Sequence, residues 1–203
     1  MTAVRSRILD VVREGYPETF DGLSPAKPVG ERAFSGPAPH PNEVLHLFVQ
    51  QKLTSALPLA YYMAARRGLD SLMERHLPAS AKLSPEVLQV AMKGLFVLRE
   101  VELKGAHSLI LGSRGSRSCS QSNCPSRKSG PGILEADQKV IDRITDSVHS
   151  GTKILDVLSL KEVCGGNCFG FCEGCTKGWE TGHANMRKNA WAMLPNVFGK
   201  LKG

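Results

Sequence analysis

The chain has 203 residues, is 41% hydrophobic and 22% charged, and carries a formal net charge of +7. That balance excludes wholesale disorder and suits one folded domain, 1–203, with a sizeable core. The longest apolar cluster, Val87 to Val101, is broken by Lys93, Arg99 and Glu100, so no membrane span is expected; Met1 to Arg7 lack the apolar stretch of a secretory signal.

In chain order, Ile8, Leu9, Val11 and Val12 predict a short helix ending at Gly15, before Pro17. Residues 24–41 hold five prolines and two glycines and read as a loop. Helical spacing resumes from Glu43 to Leu53 through Val44, Leu45, Leu47 and Phe48. Leu57-Pro58 sets a boundary, and Pro58 opens a helix to Arg67, stopped by Gly68. Asp70 is the expected N-cap of a short helix reaching His76.

Ser84-Pro85-Glu86 combines a capping hydroxyl, a proline at the first helical position and a carboxylate at the positive end of the helix dipole. The helix it opens is expected to run to Leu111 and stop at Gly112, with Gly94 and Gly105 as weak points. Val87, Leu88, Val90, Ala91, Leu95, Phe96, Val97 and Leu98 cover most of its circumference, the mark of a central bundle helix. Residues 112–132 form a Gly/Ser/Arg-rich loop, and residues 133–148 read as helical through Val140, Ile141 and Ile144. An apolar patch follows at 154–163. The last helix, Thr176 to Leu194, places Trp179, His183, Met186, Ala190 and Leu194 on one face. Leu194-Pro195 should end it, leaving Val197 and Phe198 as an apolar tail. No segment alternates with period two. The expected fold is all-α, an irregular helical bundle with a cysteine-rich C-terminal end.

All six cysteines fall in two patches: Cys119 and Cys124 in the loop, then Cys164, Cys168, Cys172 and Cys175. Cysteines used as small core hydrophobes would be scattered, and without an oxidising compartment C-x-x-C spacing favours metal or free thiols over disulfides. Cys172-Glu173-Gly174-Cys175 can wrap two corners of a tetrahedral zinc site at the mouth of a helix. The other pair is either Cys119 and Cys124, pinning the loop to the last helix, or Cys164 and Cys168 in a local site. Loop-closure entropy only weakly favours the local set, because its cost grows logarithmically. Reduced unliganded thiols and redox-active thiols are the competing readings. His183 and His149 are candidate ligands, but His183 lies on the apolar stripe and reads better as a core histidine.

There is no phosphate-binding glycine loop, no H-E-x-x-H and no nucleophile elbow, so no catalytic residue or enzymatic activity is expected. Between Glu102 and Glu135 no acidic residue occurs, while Lys104, Arg114, Arg117, Arg127 and Lys128 do. Such a segment can touch nucleic acid, but no aromatic residue interleaves the charges as a stacking platform, which disfavours that partner.

Five segments in order resemble one family: Ile8 to Asp21 (ILDVVREGYPETFD), Leu57 to Gly68 (LPLAYYMAARRG), Leu83-Ser84-Pro85-Glu86 with its long helix, the Cys119–Cys124 loop, and Cys172-x-x-Cys175 followed by Lys188 to Gly199 (KNAWAMLPNVFG). The set is similar to the C-terminal helical region of the BTB/POZ-domain proteins of mushroom-forming fungi, with its "LPxALY", two cysteine pairs and terminal "WxxLPxxFG". Tyr61 stands where that pattern has leucine, and the mixed α/β BTB core has no counterpart in this chain. The resemblance implies that Cys119, Cys124, Cys172 and Cys175 form one four-ligand set for a structural Zn2+. Together with the absence of catalytic motifs it implies a non-enzymatic scaffold with a protein partner, and the lack of a secretory signal implies an intracellular location; BTB-type dimerisation does not carry over with the core missing. The alternative is a basic, zinc-containing nucleic-acid-binding protein.

Overall fold

The computed structural model describes residues 16, 20, 39–73, 78–113, 119, 124, 154–155 and 172–199. They are mostly helical, and no strand occurs among them, in keeping with an all-α fold. The helices are α1 (Pro41–Gln50), α2 (Leu57–Arg66), α3 (Gly68–Leu72), α4 (Pro85–Ser113) and α5 (Glu173–Phe198), with a 3-10 turn at Ala79–Ala81. The expected helices at 8–12 and 133–148, the loops at 24–38 and 114–132 apart from Cys119 and Cys124, the patch at 156–163, and Cys164 and Cys168 lie outside the described residues. None of the described helices is long and apolar enough to cross a membrane.

The chain forms two compact units: Met1–Val97 with His149–Thr152 and Trp191–Gly203, and Leu98–Val148 with Lys153–Ala190. In the first unit α1 packs on α2 and on the 3-10 turn, and α2 on α3. Its core includes Leu45, Phe48, Leu59, Tyr62, Val87, Ala91 and Leu95. The Tyr16 ring meets Phe48 edge-on at 5.0 Å, and Phe20 meets Trp191 at 6.3 Å.

α1 starts two residues before the expected Glu43. His40 acts as N-cap: its Nδ1 accepts from the Asn42 N–H at 3.2 Å, while Glu43 Oε2 accepts from the His40 N–H at 3.2 Å. Pro41 at the first helical position has no N–H to leave unpaired. The helix stops at Gln50, short of Leu53, through a Schellman closure: Leu53 N–H donates to Phe48 O at 3.0 Å and Lys52 N–H to Val49 O at 3.3 Å. Lys52 adopts φ 54°, the left-handed region where a side chain is strained. Asp70 is not an N-cap. Gly68 turns the chain at φ 86° and α3 begins there, so Asp70 lies inside its first turn.

α4 starts as expected, with Ser84 O accepting from Leu88 N–H at 2.9 Å and Ser84 Oγ from Val87 N–H at 3.4 Å. It passes Gly94 and Gly105 unbroken and continues through Gly112 to Ser113. Val87, Ala91, Leu95 and Leu98 are buried, but Phe96 is 62% exposed, which corrects its expected place in the core. Position 96 shares a face with Gln89, Lys93 and Glu100, all exposed.

Pro195 does not end the last helix either; α5 runs on to Phe198. An interior proline costs roughly 3 kcal/mol through its missing N–H and its ring. Against that, Phe198 is fully buried and stacks on Tyr61, with centroids 5.3 Å apart and planes at 7°. Burial of such a ring contributes about 1.5–3 kcal/mol and an aromatic pair about 0.5–1.5 more, enough to hold the last turn.

Candidate metal centre

The second unit brings two distant chain segments to the start of α5. The helix begins at Glu173, three residues before the expected Thr176, so Cys172 is its capping residue and Cys175 closes its first turn. Thr176 N–H donates to Cys172 O at 3.0 Å, and the Thr176 hydroxyl donates to the same oxygen at 3.2 Å. A three-residue step on a helix puts both sulfurs on one side.

Cys119 and Cys124 complete the group. The four Sγ atoms lie within 4.8 Å of one another, with Cys119 to Cys172 at 3.6 Å and Cys124 to Cys175 at 3.7 Å. The backbone N–H of Cys172 also donates to Cys124 Sγ at 3.5 Å. All four side chains are buried, none more than 7% exposed, and none of the four is in a disulfide.

Sulfurs at these separations could hold a metal ion. Zinc–thiolate bonds of about 2.3 Å directed to tetrahedral corners put neighbouring sulfurs roughly 3.8 Å apart. Four soft sulfur donors suit a thiophilic ion such as zinc, and hard cations such as Mg2+ and Ca2+ prefer oxygen. The N-terminal end of the α5 dipole places partial positive charge beside Cys172 and Cys175, where four thiolates would concentrate negative charge. Four protein ligands on one tetrahedral ion would leave no open position for substrate or water, the form of a structural site.

Of the two pairings that the spacing left open, the structure assembles Cys119 and Cys124 with Cys172 and Cys175. His183 is buried two turns beyond Cys175 and stands outside the sulfur group; His149 lies outside the described residues. The sequence gives no direct sign of two other contributions. Ile154 and Leu155 are buried, and Leu155 O accepts from Arg187 Nε at 2.8 Å, tying that segment to α5. Arg99 Nη1 donates to Glu102 Oε2 at 3.1 Å in a buried ion pair on α4. The acid-free stretch from 103 to 134 had its significance in charge alone, and of its loop only the two cysteines are described.

Compared with protein-family models, with curated proteins and with solved structures, the chain matches none.

Proposed function

We propose that Cys119, Cys124, Cys172 and Cys175 bind one structural Zn2+ and that the chain is a non-enzymatic scaffold for a protein partner. The mutual approach of the four buried sulfurs is the observation that carries the zinc reading. The scaffold reading is supported by the closed ligand set, which offers no reaction site, by the absence of catalytic motifs, and by the likeness to the helical region of BTB/POZ proteins.

Metal content of the reduced protein by native mass spectrometry tests the zinc. One equivalent is expected in the wild type, with loss in Cys119→Ser and in Cys172→Ser and retention in Cys164→Ser. Because an ion bound only by the folded state adds its binding free energy to folding, the two ligand variants should also lose stability. Equal loss in Cys164→Ser and Cys172→Ser with retention in Cys119→Ser would move the site to the local array. A mobility shift with nonspecific DNA that weakens steeply with salt would replace the protein partner by nucleic acid.

A further inference from the structure

Gly174, Gly178 and Gly182 recur every four residues in the first half of α5. Glycine is the weakest helix former after proline, so an interior glycine usually answers a packing or backbone demand. Gly178 answers neither. A Cβ built there meets no atom within 4 Å, and among the described residues the positive-φ glycine is Gly68. By contrast, side chains at Gly94 and Gly105 would run into Phe198 and Met186.

The groups buried between Cys172 and Asn185 are few: Cys172, Cys175, Trp179 and His183. Two of these four carry the clustered sulfurs and Trp179 is the one large apolar side chain, so little apolar burial holds this half of the helix. The other end is anchored differently, by Leu194 and by Phe198 stacked on Tyr61. A helical segment no longer than this half is marginal in water without tertiary support.

We infer that the first half of α5 is a metal-gated helix, ordered when the four cysteines share an ion and unwound when the ion is removed, while the Leu194–Phe198 end stays docked. The inference rests on the zinc reading above and adds to it a conformational response confined to one half of one helix. Gly178 sets the threshold: it keeps the unliganded segment below the stability at which the helix would form unaided.

Hydrogen exchange on the whole reduced protein, zinc-loaded and after chelation with metal loss verified, reads this directly. Amides of residues 177–185 should lose protection at least about a hundredfold on chelation, and those of 196–198 less than about threefold. Gly178→Ala, an exposed position outside the cage, should recover about fivefold protection in the metal-free state and bind zinc about fivefold more tightly. Unchanged protection over 177–185 after verified metal loss would overturn the gating and leave the zinc site standing. So would loss of protection along all of α5 together, or a Gly178→Ala variant indistinguishable from wild type. A wild type that takes up no zinc would sink the site and the gating with it.

Discussion

Phe198, on the last turn of α5, lies flat against Tyr61 and occupies the space that a side chain at Gly94 of α4 would need. One ring thus fixes the approach of two other helices. It explains why a glycine stands in the middle of α4, where alanine would favour the helix by about 1 kcal/mol.

Gly94→Ala is accordingly expected to destabilise the protein by about 1–3 kcal/mol, because the new methyl overlaps the Phe198 ring. Gly105→Ala meets only the flexible thioether of Met186, which can swing aside, so it should be neutral or stabilising by up to about 1 kcal/mol. Urea titration of the two variants checks the contrast; equal effects would contradict it.

Adjacent positions on α4 make a second contrast. Leu95 is 4% exposed and Phe96 62% exposed. Leu95→Ala should cost about 2–5 kcal/mol through the cavity it leaves, and Phe96→Ala no more than about 0.5 kcal/mol. A large loss in Phe96→Ala would mean that its ring is covered in solution.

Lys52 holds a left-handed backbone at the end of α1 where glycine is the usual occupant. Lys52→Gly should relieve that strain and raise stability by about 1 kcal/mol in chemical denaturation. A decrease would show that the lysine side chain contributes a contact larger than the strain.

Burial pushes the phenols of Tyr16 and Tyr61 up to about 12, from the ordinary value of 10. A phenol that ionises less readily in the folded protein favours unfolding once the unfolded chain begins to lose its proton. Relative to a tyrosine held neutral in both states, the folded form therefore loses ground as pH rises from 10, and the loss levels off above 12. Each is expected to remove on the order of 2–3 kcal/mol across that window, with none lost below pH 9. Tyr61 Oη has no hydrogen-bond partner, so Tyr61→Phe should be neutral or stabilising at pH 7 and should flatten the alkaline decline. Stability measured by urea at pH 8, 10 and 11.5 reads both effects.

Helix positions were legible where local chemistry sets them. Ser84-Pro85-Glu86 marks the start of α4 to the residue, and Leu57-Pro58 that of α2 to within one, because capping and proline geometry act within one turn. Pro195 misled for the same reason: its local cost is real, but the burial of Phe198 against Tyr61, 137 positions away, exceeds it. Phe96 was misplaced because apolar residues nearly encircle α4 there; Lys93 and Glu100, three and four positions away, were the usable sign of the outer face. The sulfur group was half legible. C-x-x-C before a helix named Cys172 and Cys175, whereas spacing could not choose their partners, since closing a loop of fifty residues costs little more than closing one of ten.

The cage joins Cys119 to Cys172, 53 residues on, and Cys124 to Cys175, 51 residues on. A ribosome adding about 5–20 residues per second needs roughly 3–10 seconds to travel that far. Throughout that interval the first two thiols have been made and their counterparts have not. Newly synthesised chains therefore pass through a period in which half of the cage is open to any thiophilic ion or oxidant nearby, and the protection that burial gives the finished protein arrives only with the second pair.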